Sequence, residues 1–208
     1  MSGGKQKREH GVRTLDMAKR LIDHAIADIR ADIDSGKPMN RLLQGDVGSG
    51  KTAVAACTAL MAMESGFNTV LMAPTEILAE QHFRTFTQWF QPLGIRVELR
   101  TGCQKKANCA QRAARAGVMP PGQPAARSSQ HASLFIGTHA LLTTDYDVPN
   151  LGLVIIDEQH KFGVAQREQL VRKGRYPHLL VMTATPIPRS LALTVFGDLD
   201  ISVIDEMP

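Results

Sequence analysis

The chain has 208 residues, a formal net charge of +4 and a sequence pI near 9.1, a mild basicity that permits a polyanionic partner without requiring one. Its 43% hydrophobic fraction supplies a core and excludes wholesale disorder, and 5% aromatics leave that core to Leu, Ile, Val, Ala and Met. No apolar run approaches the roughly 20 residues of a membrane helix, and Cys57, Cys103 and Cys109 lack metal-ligand spacing, as expected of reduced thiols in a cytoplasmic protein.

The basic N-terminus has no apolar stretch behind it and is not a signal peptide. Residues 1–13 are set apart as a flexible segment, and residues 14–208 are expected to form one domain. Residues 14–33 read as an amphipathic helix. Leu15, Ala18, Ile22, Ala25, Ile26, Ile29 and Ile33 recur at helical spacing, and Thr14 is placed as the N-cap. Ser35-Gly36-Lys37-Pro38 ends it. Beyond that, short apolar runs at 41–44, 69–73, 96–99, 133–136, 153–156, 179–182 and 201–204 read as strands. Helical stretches at 51–65, 76–91, 105–116, 163–173 and 187–196 fall between several of them. Continuous apolar runs alternating with helices predict an α/β fold of three layers, with a mostly parallel central sheet covered on both faces. Ligands of such a sheet gather at the carboxyl ends of its strands. Residues 117–132, rich in Pro, Gly and Ser, read as a surface loop.

Between the first apolar run and the next helix stands Gly45-Asp46-Val47-Gly48-Ser49-Gly50-Lys51-Thr52, which matches the phosphate-loop pattern in its required strand-to-helix context. Glycines let backbone N–H groups converge on phosphate oxygens, and the helix N-terminus adds its positive dipole end. Lys51 is expected on the β and γ phosphates, and Thr52 on Mg²⁺. The loop therefore predicts a nucleoside triphosphate, ATP with Mg²⁺ as cofactor.

A second signal is the apolar run 153–156 ending in Asp157-Glu158. Strand tips of a parallel sheet face the phosphate loop, so these carboxylates can reach the same metal. Asp157 is expected to hold it, and Glu158 to orient and deprotonate the attacking water.

Asp157-Glu158-Gln159-His160 brings a family into view. Taken with the phosphate loop, Ala73-Pro74-Thr75-Glu76, Thr101-Gly102, Gly137-Thr138-His139-Ala140 and Thr183-Ala184-Thr185-Pro186 through Arg189, it resembles the first RecA-like motor domain of a superfamily 2 helicase. Met39–Asp46, Gln159–Val164 and Phe196–Asp205 are similar to the RecG family, bacterial ATP-dependent helicases of branched DNA. The resemblance covers about residues 39–206. The transcription-repair coupling factor is the alternative, although it usually carries Glu where Gln159 stands. A P-loop phosphotransferase is a more distant one, and it leaves Thr183 to Arg189 without a role.

The resemblance implies several roles. Gln159 and His160 link the nucleotide site to the DNA side, and Thr183 and Thr185 couple hydrolysis to domain movement. Pro74, Thr75, Thr101, Gly102, Gly137, Thr138 and His139 line the DNA backbone path. Small side chains, hydroxyls and N–H groups at helix starts suit phosphate contact, which is insensitive to base sequence. The family often places a Gln near the start of its first helix to read adenine, where this chain has Met17. Lys161 replaces the more usual Arg, which keeps the charge but loses the planar fork. The resemblance also implies partners: branched or forked DNA, a second RecA-like domain that supplies arginine fingers, and a DNA wedge domain. Only 19 residues follow Arg189, too few for that second domain.

Overall fold

A computed structural model describes residues 3–100, 132–138, 141, 148–157, 177–185 and 200–204, with side chains from residue 19 onward. Every predicted strand is present. They are β1 (Asn40–Gly45), β2 (Asn68–Met72), β3 (Arg96–Arg100), β4 (Ser133–Gly137), β5 (Leu151–Asp157), β6 (His178–Thr183) and β7 (Asp200–Ile204). Their order across the sheet is β3-β4-β2-β5-β6-β1-β7, and every pairing is parallel.

Apolar residues at successive positions along a strand point to opposite faces, so continuous runs give a sheet buried on both sides. Leu43, Leu71, Leu153, Ile155 and Leu180 pack on one face with α1 (Gly3–Asp34), α2 (Lys51–Glu64) and α3 (Glu76–Phe90). Leu42, Val70, Val154, Ile156 and Val181 pack on the other, together with Leu141 and Val148. Each fully buried Leu or Ile stabilises the fold by about 1.5–3 kcal/mol. All three described α-helices thus cover the same face. The predicted helices at 105–116, 163–173 and 187–196, and the loop at 117–132, lie outside the described residues.

One expectation is corrected. α1 begins at Gly3, so Thr14 lies inside the helix rather than capping it, and the helix already includes residues 3–13. Lys5-Gln6-Lys7-Arg8-Glu9 are good helix formers without proline. Extending an existing helix adds one hydrogen bond per residue fixed, so the helix outruns its apolar stripe.

α1 is docked by a polar network as well as by Ala25 and Ile29. Arg41 on β1 is buried, and its Nε donates to Asp32 Oδ2 at 2.6 Å while Nη1 donates to Ser202 Oγ on β7 at 2.7 Å. Ser202 Oγ in turn donates to Asp28 Oδ2 at 3.0 Å. Burial pulls the Arg41 pKa down, but the Asp32 hydrogen bond and the charges of Asp32, Asp28 and Asp200 outweigh it and leave the pKa raised. Nearby, His178 Nδ1 accepts from the Met39 N–H at 2.9 Å, which requires that nitrogen to be unprotonated. Burial holds the His178 pKa below its ordinary value, opposed by Asp32.

Two outcomes follow. Arg41→Ala strands two carboxylates and is expected to cost about 3 kcal/mol in urea unfolding, the low end for a broken buried pair, because the Asp28 side chain is 33% exposed. For His178 the folded pKa is depressed, so its stabilising contribution is complete above the unfolded value near 6.5 and is lost as pH falls below it. His178→Asn, which keeps an acceptor near Nδ1, should lose less stability than the parent between pH 7.5 and pH 5.5. Parallel loss in both would discount His178.

Candidate nucleotide site and the adjoining sheet rim

Parallel pairing in register brings the carboxyl ends of all seven strands to one rim. Across it Arg100 pairs with Gly137, Gly137 with Met72, Met72 with Ile156, Asp157 with Met182, Thr183 with Gln44, and Gly45 with Ile204. Strands lie about 4.8 Å apart, so Asp157 on β5 is roughly 10 Å along the rim from the end of β1. Thr183 on β6 stands between them. On the far side of β5 come the ends of β2 and β4, with Pro74, Thr75, Gly137 and Thr138. The rim is therefore divided at β5. Among the described residues, the phosphate loop and Thr183 lie on one side, Pro74, Thr75, Gly137 and Thr138 on the other, and Asp157 at the division.

The phosphate loop is shaped by close approach. Gly45 is buried, and a Cβ there would press on the Ile204 carbonyl and lie 2.6 Å from Ser49 Oγ. Gly50 is the N-cap of α2 at φ 98°, a left-handed conformation that side chains disfavour, and a Cβ there would lie 2.6 Å from Ile22 Cδ1 of α1. α1 thus lies directly against the start of α2. No side chain caps that helix and its first turn holds no acidic residue; the Ala53 N–H already donates to the Gly50 carbonyl at 2.9 Å, which leaves the Lys51 and Thr52 N–H groups as donors at the positive end of the dipole. Ser49 Oγ is buried without a hydrogen-bond partner among the described residues. Lys51 Nζ donates to the carbonyls of Gly45 at 2.6 Å and Asp46 at 2.7 Å, which holds the ammonium within the curve of the loop. Val47, at the loop tip, is 90% exposed. Free donors, an orphaned hydroxyl and a captive ammonium together fit a bound polyphosphate.

Asp157 shares its face of β5 with Leu153 and Ile155, the face that α2 and α3 cover. Its Oδ2 bonds His82 Nε2 of α3 at 2.6 Å, with the two side chains 14% and 12% exposed. Sequence reasoning missed His82, because nothing local marks a partner 75 residues away. Thr183 is buried, and its hydroxyl meets Thr185 Oγ1 at 2.9 Å and accepts from the Thr185 N–H at 3.1 Å. The two threonines form one tight turn at the tip of β6. Thr75 caps α3 by accepting from the Leu78 N–H at 3.3 Å, and Thr138 is buried, its carbonyl accepting from the Leu141 N–H at 3.0 Å. Glu158, Gln159, His160, Thr101, Gly102 and His139 lie outside the described residues.

The DEAD/DEAH box helicase family model matches residues 23–194. The chain belongs to that family. Among curated relatives, the ATP-dependent DNA helicase RecG of Acidithiobacillus ferridurans is 51% identical over 186 residues, 89% of this chain and 26% of that protein. The protein of that name from Escherichia coli K12 is 52% identical over 188 residues, 88% of this chain and 25% of that protein. A solved structure of RecG bound to a three-way DNA junction superposes with a TM-score of 0.68 at 45% identity, over 91% of this chain and 24% of that one. The chain thus spans about a quarter of the length of these relatives. The RecA-like arrangement expected from the sequence is the one found, with a sheet wholly parallel in its described strands.

For a DEAD/DEAH box helicase domain built this way, Gly50→Ala is expected to destabilise by about 1–3 kcal/mol through backbone strain and the Ile22 clash. Ile22→Val removes the Cδ1 atom, so the double variant should lose less than the two single changes added. Strict additivity in urea unfolding would separate Ile22 from the loop.

Proposed function

We propose that this chain is the ATP-binding motor domain of a DNA helicase or translocase that remodels branched DNA in repair and recombination. The observation that carries the proposal is the divided rim: a phosphate loop on one side, Asp157 at the division, helix starts and hydroxyls suited to backbone phosphates on the other. The family, the RecG relatives and the junction-bound neighbour support it.

In this reading ATP lies along the loop from Gly45 to Thr52, with phosphate oxygens on the N–H groups of α2 and on Lys51. The Lys51 ammonium, held here by the Gly45 and Asp46 carbonyls, would turn to the β and γ phosphates. Thr52 and Asp157 would hold Mg²⁺ together with those phosphates, a donor set of oxygens that suits this ion. The ion would neutralise charge on the phosphoryl group being transferred. Glu158 orients the attacking water and takes its proton. Gln159, His160, Thr183 and Thr185 couple the nucleotide site to movement. Pro74, Thr75, Thr101, Gly102, Gly137, Thr138 and His139 line the DNA backbone path. A second RecA-like domain completes the ATP site with an arginine finger, worth about 10³–10⁵ in rate, and a wedge domain engages the branch. The motor acts in the cytoplasm. By itself this domain binds nucleotide, hydrolyses slowly and unwinds nothing.

Lys51→Ala is expected to abolish nucleotide binding. Glu158→Gln is expected to keep binding and lose hydrolysis in the full-length motor. Equal ATP affinity for Lys51→Ala and the parent, by calorimetry, would sink the first assignment. Robust DNA-stimulated turnover by the 208 residues alone would sink the division of labour.

A further inference from the structure

The bond between His82 and Asp157 crosses the point where the rim divides. α3 packs beside β3 and β4, at the far end of the sheet from the phosphate loop. From there His82 reaches past β2 to the tip of β5. A carboxylate only accepts hydrogen bonds, so the imidazole donates through Nε2–H. The ring is itself held: it meets Phe86 edge-on at a centroid separation of 6.2 Å, and Phe86 is fully buried against Phe90 at 5.5 Å. The imidazole therefore presents its proton to Asp157 from a fixed direction. The same helix begins at the Thr75 cap, on the other side of the division. Seven residues separate Thr75 from His82, a helical rise of about 10 Å, so a shift of the α3 N-terminus carries the imidazole with it.

We propose that His82 is a positioning residue that aims the Asp157 carboxylate at the magnesium–nucleotide complex and ties that aim to α3, whose start faces the DNA path. The inference rests on the motor reading above. Asp157 has two oxygens; His82 engages Oδ2, and in this scheme Oδ1 is the one left for the metal. Outer partners that orient a metal-binding group in this way are typically worth about 10–100-fold in metal affinity or activity. His82 touches neither nucleotide nor DNA in this scheme, so it acts only through Asp157.

The test uses the full-length protein with His82→Asn and His82→Gln. A glutamine amide places its nitrogen near the position of Nε2, whereas an asparagine amide stops short of it. A fluorescent ATP analogue is titrated in EDTA and then at rising Mg²⁺, and ATP turnover is measured with and without branched DNA. For His82→Asn we expect unchanged affinity in EDTA and a Mg²⁺ midpoint for tight binding raised about tenfold. DNA stimulation of kcat should fall with KM little changed. His82→Gln should recover most of both. A Mg²⁺ midpoint in His82→Asn equal to the parent's would overturn the proposal. So would equal impairment of both variants with a lowered thermal midpoint, since that marks a packing role. If the parent itself shows no DNA-stimulated turnover, the motor reading falls and takes this proposal with it. Normal turnover in the parent beside an unmoved midpoint in His82→Asn defeats the proposal alone.

Discussion

Register within a parallel sheet governs everything else in this molecule. Seven strands run the same way, so seven carboxyl ends must share one rim. No residue in a strand can leave that rim without breaking a ladder of backbone hydrogen bonds. Gly45 comes from a strand far in sequence from those of Asp157 and Thr183, yet pairing sets the ends of all three strands next to one another. The strand order then separates functions. β5 lies between the strands that carry the candidate nucleotide groups and those that carry the candidate DNA groups, and Asp157 closes it.

The phosphate loop depends on that rim and also on α1. The left-handed conformation of Gly50 disfavours a side chain, and Ile22 fills the space one would need. α1 in turn is held by the buried Arg41 guanidinium, which draws the partly buried Asp28 and Asp32 and the buried Ser202 into one network. A buried ion pair is weak evidence for net stability, because desolvation opposes the attraction. Its consequence here is geometric. Directional bonds set the position of α1 along β1 and β7, and thereby the wall against which the loop turns. His178 adds a condition, because its bond to the Met39 N–H forms only while Nδ1 is unprotonated.

On the other side of β5 the logic is one of lever and anchor. α3 is capped by Thr75 at the candidate DNA edge and clamped by Phe86 and Phe90 in the core. His82 lies between these points and bonds Asp157. A rigid helix with one end at the candidate DNA edge and its middle on a candidate metal-binding carboxylate is a short physical route between the two proposed sites. Movement need not spread through the sheet.

What the sequence determined by itself is local. Eight consecutive residues, Gly45 to Thr52, spell the phosphate loop because its backbone geometry demands glycine and its chemistry demands Lys51 and Thr52. Seven apolar runs announced seven strands, since double-sided burial needs unbroken hydrophobicity, and Asp157 was legible as the polar end of one run. The α1 boundary was not, because helix propagation beyond an apolar stripe leaves no periodic signal. Only the tertiary structure decided which side chains meet across long separations. His82 finds Asp157 75 residues away, and Arg41 finds Ser202 161 residues away. Those meetings follow from the strand order β3-β4-β2-β5-β6-β1-β7, in which most neighbours are not consecutive in the chain. That order comes from the collective packing of helices on the sheet, and no short stretch of residues carries it.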